Sequence, residues 1–248
     1  MYTLRVEVLP MMEMHRDAKQ ETIAHLQRQI RQSEYGGRRA ADITSTGSTA
    51  LDELLPCGGV RRGGMIEWIG CTPASGAGTL ALIAARHVCA SNQTFLVIDS
   101  RRQISPAALA NLGLDLAKIL IVRPQTKQEA WWACEEALRC KAIGLVWADI
   151  EQASATVLRR LQLAAEESCG VGFLLRPAAA LRHSAWADAR LLVRSVPSCS
   201  ASPRYQVESV YSHGRALRNN VVVQIDRFAG TTHEFTSSRQ ASLMSLVS

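Results

Sequence analysis

The stretch "IEWIGCTPASGAGTLALIAARH" (residues 66–87) decides how the chain is read. A short apolar run, Met65 to Ile69, meets a Gly-rich turn, and a helix-like segment beginning near Thr79 follows. That is the strand–loop–helix setting of a phosphate-binding loop. An active loop needs GxxxxGK[ST], because backbone N–H groups cradle the phosphates, the lysine neutralises them and the hydroxyl holds magnesium. Here Ala77 takes the lysine place and Gly78 the hydroxyl place, with Thr79 one step late. The run from Gly70 to Gly76 is also longer than the motif's spacing, and no lysine follows a glycine anywhere in the chain. Gly70, Ser75, Gly76 and Gly78 keep the ingredients of an anion site, since a helix start aims free N–H groups into the loop. The same glycines also read as a turn kept for its shape, and both readings stay open.

Working outward, strands and helices alternate. "TFLVIDS" (94–100), "KILIVRP" (118–124), "IGLVWAD" (143–149) and "VGFLLRP" (171–177) read as strands. Between them lie helices at 105–113, with Ser105 as N-cap and Pro106 at its first position, at 126–141, and at 153–168. The second of these opens on a Thr126…Glu129 capping box. Strands separated by helices imply a parallel sheet covered on both faces. After Pro177 the rhythm changes. "ARLLVRS", "RYQVESVYS" and "NNVVVQIDRF" read as three strands without helices between them, expected as antiparallel additions to one edge.

The flanks have their own character. Residues 13–33 read as a helix with Ile23, Leu26 and Ile30 on one face, a candidate surface for docking on another chain or an intramolecular cover, and Gly36-Gly37 ends the run. The expected organisation is an N-terminal arm over 1–40, a core over 41–230 and a mobile C-terminal tail over 231–248. The tail is Ser/Thr-rich; its Leu243, Met244 and Leu246 suit a short amphipathic element that orders in a groove, or a frayed end without a role. Trp131, Cys134 and Leu138 share a helix face and are expected in the core, as is Trp147 in its strand. Trp132 lies about 100° away from Trp131 and is a candidate contact residue, or one covered by a neighbouring loop. Arg159 and Arg160 read as a solvated helix face.

Composition narrows the class. The 248 residues are 47% hydrophobic and 20% charged, enough for one large α/β domain. A net charge of +6 allows nucleic acid or another acidic partner without demanding one. Seven cysteines, never spaced CxxC, and six dispersed histidines show no zinc pattern; most of the cysteines suit small buried hydrophobes in a reducing cytosol. The opening "MYTLRVEVLPMMEM" carries Arg5 and Glu7 inside its apolar part, which argues against a signal peptide, and no apolar run is long enough to span a bilayer. A cytoplasmic, non-membrane protein is expected.

Residues 43–70 carry a resemblance. "STGSTALDELL…GGVRRGGMIEWIG" resembles the lead-in to the RecA-type recombinase core, with its Thr-Gly-Ser turn, Leu-Asp pair and Gly-Gly turn. "FLVIDS", "LANLGLDLAKILIVRPQTKQEAWWACEEALR" and "GLVWAD" continue in the same order, so the likeness covers about residues 43–228. It implies a RecA-like, mostly parallel sheet sandwiched by helices, with antiparallel strands at one edge. In the recombinase a glutamate following the strand equivalent to 95–99 orients the attacking water; here Ser100-Arg101-Arg102 follows Asp99. Asp149 matches the acidic residue that would support magnesium. With lysine and glutamate missing, the expectation is no ATP, no magnesium and no catalysis. The loops that hold DNA in the recombinase are also short here: Asp149 runs almost directly into a helix, and the second is reduced to "AAALRHSAWADA". Weak DNA binding through phosphate contacts stays open, as does self-association.

A RecA-like core without its phosphate chemistry looks like the ImuA family, accessories of SOS-induced error-prone translesion synthesis in DNA repair. The resemblance implies partners: RecA, an ImuB-type polymerase-like protein and an error-prone replicative-type polymerase. Two other readings remain. One is a SulA-like cell-division inhibitor that binds the tubulin-like division protein; the other is a DNA-dependent ATPase with an irregular phosphate loop.

Overall fold

The chain divides into two compact units, Met1–Asp42 and Ile43–Ser248. The computed structural model describes residues 42–72, 74–89, 92–183, 186–198, 202–212, 217–226 and 230–235. The helix expected at 13–33, with Ile23, Leu26 and Ile30, and the tail residues Leu243, Met244 and Leu246 lie outside the described residues.

The second unit opens on a small antiparallel pair, β1 (Ile43–Thr44) with β2 (Val60–Arg61). Between them sits a turn built by one carboxylate. Asp52 Oδ1 accepts the Thr46 backbone N–H at 2.8 Å and the Thr46 hydroxyl at 2.7 Å, while Oδ2 accepts the Ser45 hydroxyl at 2.5 Å. This satisfies the polar groups ahead of the short helix α1 (Thr49–Asp52).

The core is a nine-stranded sheet in the order β11-β10-β9-β8-β3-β7-β6-β4-β5. Its members are β3 (Met65–Gly70), β4 (Thr94–Ile98), β5 (Ile119–Val122), β6 (Ile143–Asp149), β7 (Val171–Pro177), β8 (Ala189–Val196), β9 (Arg204–Ser212), β10 (Asn220–Asp226) and β11 (Thr231–Glu234). The six strands from β8 to β5 run parallel, and β9, β10 and β11 continue antiparallel. The α/β architecture read from the sequence is therefore the observed one, with two corrections. Strand β8 pairs parallel with β3 and antiparallel with β9, so it belongs to the parallel body and only the later strands form the antiparallel edge. Residues 231–234, assigned from sequence to the tail, are a paired strand: the backbone ladder to β10 orders them despite their polar side chains.

Helices cover both faces. Trp68, Phe173, Leu145 and Trp147 point to one side and join α2 (Ala77–Val88), with Leu109 of the short α3 (Pro106–Asn111). Met65, Val146, Ala148 and Leu174 point to the other and join α4 (Lys127–Arg139) and α5 (Ala155–Ser168). This alternation within near-continuous apolar runs is the signature of strands buried on both faces. Trp68 and Phe173 meet edge-on at 5.6 Å. The cap forms with a shift in its second half: Thr126 Oγ1 accepts from Glu129 N at 3.1 Å as expected, but Glu129 Oε2 accepts from Gln125 N at 2.7 Å, one residue before the N-cap. Cys134 and Leu138 are fully buried, whereas Trp131 is half-buried and donates its indole N–H to Gln152 O at 3.1 Å.

Arg159 and Arg160 are exposed, as expected, and each also makes a contact. Arg159 lies over the Trp186 ring at 5.0 Å, and Arg160 joins Arg139 on the buried carboxylate of Glu135, tying α5 to α4. Of the six described cysteines, none in a disulfide, only Cys134 is buried; Cys57, Cys71, Cys140 and Cys169 are exposed because they stand in turns and at helix ends. Burial pushes the Cys134 thiol up to about 12.

A charged cluster sits inside the sheet. Glu67 of β3 is 1% exposed and faces Arg176 of β7 (Nη1 to Oε1, 3.2 Å) and Arg190 of β8 (Nε to Oε2, 2.6 Å). Arg190 also donates to the backbone carbonyls of His183 at 3.0 Å and Ala180 at 2.5 Å. It thereby holds the 3-10 turn Ala178–Arg182, which follows β7. Arg176 Nε has no partner. Among the described residues no helix is long and apolar enough to cross a membrane.

Candidate functional site

The carboxyl ends of β3, β4, β6 and β7 converge on the start of α2, and two open cavities of about 400 Å³ each lie there. One is lined by Gly70, Ser75, Gly78, Asp149 and Arg176, the other by Gly76, Gly78, Thr79, Arg101, Asp149 and Tyr205. The structure thus brings together every loop residue singled out from the sequence: Gly70, Ser75, Gly76, Gly78 and Thr79, with Asp149. It leaves Trp132 apart, on α4 with 65% of its surface exposed.

The loop is shaped from within. Ser75 is buried; its N–H donates to Thr72 O at 3.0 Å and its Oγ accepts from Ala77 N at 3.4 Å. A Cβ on Gly70 would stand 2.6 Å from Ser75 Oγ, so the glycine makes room for that hydroxyl. Gly76 is the N-cap of α2 with φ 83°, a left-handed backbone that favours glycine. The helix starts at Ala77, two residues earlier than expected, because the Gly76 carbonyl already accepts the Leu80 N–H at 2.9 Å. Ala77 is 2% exposed and brings no charge to the loop.

One neighbour of the loop had no signal in the sequence. A Cβ on Gly76 would fall 2.1 Å from Tyr205 Cε1, so the Tyr205 ring of β9 rests directly on the cap glycine. Nothing in the sequence around Tyr205 forecasts this, since it depends on β8 and β9 bringing this part of the sheet around to α2.

The carboxylates are already occupied. Asp149, 4% exposed, is hydrogen-bonded to Arg101 Nε, and Arg101 Nη1 lies 3.9 Å from Glu151 Oε1. Burial raises the Asp149 carboxyl above the ordinary range; Arg101 opposes that through its hydrogen bond and its charge, and Glu151 and Asp99 add to it. Asp99 is 1% exposed and accepts from Gln103 N at 2.8 Å, Ile104 N at 3.1 Å and Arg123 Nε at 3.3 Å. These contacts turn the chain after β4 and set Arg102 at φ 55°. The second cation at the cavities, Arg176, is held by Glu67 and lowered by burial, with Arg190 adding to the lowering. Arg101 was visible in the sequence as a residue following Asp99; that it reaches Asp149 follows only from β4 and β6 being neighbours in the sheet.

A magnesium-bound triphosphate fits this inventory poorly. The loop offers no lysine, and the carboxylate that would support the metal is committed to a guanidinium. Among the described residues, no group of three or more His, Cys, Asp or Glu could hold a metal ion. The connection from Asp149 to Ala155 is short, and Arg190 pins the turn after β7, where Arg182 and His183 are exposed.

Residues 18–165 match the family described as RecA N-terminal domain. The chain is 34% identical over 124 residues to Protein RecA of Chloroflexus aggregans, covering 48% of this chain and 34% of that protein. It is 36% identical over 105 residues to Protein RecA of Listeria welshimeri, covering 42% of this chain and 30% of that one. It thus spans about a third of the length of the curated relatives it matches. Among solved structures the RadB recombinase superimposes with a TM-score of 0.60 over 77% of this chain and 99% of that one, at 16% identity, a likeness of fold. By sequence and by fold, the chain belongs to the RecA N-terminal domain family.

Proposed function

We propose that this chain is a non-catalytic RecA-like accessory protein of ImuA type, acting in SOS-induced error-prone translesion DNA synthesis through protein–protein contacts. The observation that carries the reading is the charge inventory at the loop. Ala77 stands where a lysine would neutralise phosphate, and Arg101 and Arg176, the arginines lining the two cavities, are each paired with a buried carboxylate. Among the described residues lining the cavities, a triphosphate meets no unpaired arginine or lysine, and Asp149 is paired with Arg101. The partners in this reading are RecA, an ImuB-type polymerase-like protein and an error-prone replicative-type polymerase. The exposed Trp132 is a candidate anchor for one of them, since exposed tryptophans are enriched where proteins meet.

Two measurements test the reading. Purified protein with magnesium and ATP should turn over at the background rate with or without single-stranded DNA. Ala77→Lys alone should not change that, because Asp149 stays paired. Turnover that is stimulated by DNA and abolished by Asp149→Ala would refute the non-catalytic half. A pull-down from DNA-damaged cells should recover the polymerase-like protein or RecA. Recovery of the tubulin-like division protein, with filamentous cells on overproduction, would move the chain to the SulA class.

A further inference from the structure

We infer that Arg101 is the resident counter-cation of Asp149: a side chain of the protein itself fills the place beside this buried carboxylate that a metal-bound ligand would need. This deepens the non-catalytic reading above and rests on it. Asp149 ends β6 at the sheet's carboxyl edge, 4% exposed, with Gly78 of α2 lining the same cavities. A buried carboxylate without a cation is strongly disfavoured. The other charges facing it are Asp99 at the end of β4 and Glu151 just past β6, both negative, and Arg176 at the end of β7, which Glu67 engages. Arg123, beyond β5, is engaged by Asp99, and α2 contributes only the uncharged Ala77, Gly78, Thr79 and Leu82 to the cavities. That leaves Arg101 to balance the cluster, and it contacts both Asp149 and Glu151. Two backbone bonds to Asp99 hold the turn that follows it. With Arg190 sharing Glu67, the four carboxylates Asp99, Asp149, Glu151 and Glu67 are balanced by four arginines of the protein itself.

The test is a double-mutant cycle on the full chain, followed by urea unfolding. Arg101→Gln should lower the folding equilibrium constant about tenfold at pH 7, Asp149→Asn should change it little, and the double variant should match Asp149→Asn. The Arg101→Gln deficit should also shrink as pH falls, because a protonated Asp149 needs no cation; lost packing would give a deficit independent of pH. Equal costs of Arg101→Gln with and without Asp149→Asn, or no cost at all, would overturn the inference. Should Arg101→Gln fail to fold, Asp149→Asn still decides. The Arg101 Nε proton should exchange more slowly with solvent in the wild type than in that variant, and equal exchange would refute the pairing. A coupled cycle beside an active ATPase would sink the non-catalytic reading and keep the pairing. An additive cycle beside an inactive protein would do the reverse.

Discussion

Glu67→Gln removes one negative charge from the middle of the sheet and leaves two guanidiniums behind. The side chains of Glu67 and Arg176 are each 1% exposed, and that of Arg190 is 6% exposed, so water cannot replace the lost partner. Arg190 keeps two carbonyl acceptors, at 3.0 and 2.5 Å, and bears less of the loss. Arg176 does not: its Nε is already unpartnered, and burial together with Arg190 already disfavours its charge. Breaking a buried pair by removing one partner costs about 3–5 kcal/mol. With one arginine fully orphaned and the other partly satisfied, about 4 kcal/mol is expected. For a domain of this size, that corresponds to a fall in Tm of roughly 10 °C. Urea unfolding followed by circular dichroism would read it, with the slope unchanged if the unfolded state is unaltered. Replacing Glu67, Arg176 and Arg190 together by methionine should cost much less than Glu67→Gln, because no uncompensated charge remains. A Glu67→Gln loss below about 1 kcal/mol would refute the claim that this carboxylate neutralises the cluster.

Two further outcomes follow from the site. Gly76→Ala should cost about 2 kcal/mol or more, since φ 83° strains any L-residue and the new Cβ meets the Tyr205 ring; in a Tyr205→Ala background the cost should fall to the backbone strain alone, and an unchanged cost would show that the ring is not the obstacle. His87 titrates below its ordinary 6.5, chiefly through burial and then through Arg86, with Asp52 opposing. Its folded form takes up a proton less readily than the unfolded chain, so its contribution is fully present above pH 6.5 and is lost as pH falls through the depressed value. Urea midpoints at pH 7.5 and pH 5 should show a steeper acid loss in the wild type than in His87→Phe, which keeps a ring against Gly47; equal losses would remove His87 from the account.

Local pattern carried much of the fold. Strands 143–149 and 171–177 have the expected bounds, because their apolar runs end in Asp149 and Pro177, residues that close a strand by charge and by a missing N–H. The helix expected from 153 begins at Ala155, since Ser154 caps it by accepting from Val157 N at 3.3 Å. The direction of β8 was not legible: its alternation suits either pairing, and its neighbour β3 lies far back in the chain. β11 was invisible because Thr-Thr-His-Glu carries no apolar period and owes its order to backbone pairing. The site divides along the same line. The loop glycines and Asp149 could be read because they are contiguous or end a strong strand. Tyr205 on Gly76 and Arg101 on Asp149 could not, because each contact is made by sheet order and not by spacing.

The place of β3 in that order also bears on how the chain comes to be folded. β3 lies between β7 and β8, and the pairs that cross its centre join Glu67 to residues 109 and 123 positions later. Both edges of the central strand therefore stay bare until most of the chain has been made, and loops of this length close slowly. During synthesis "MIEWIG" is an apolar strand without neighbours, the kind of segment that nascent chains lose to aggregation. Glu67 stands at its middle, and before any arginine reaches it an unpaired charge inside such an apolar run is the kind of residue that disfavours pairing with copies of itself.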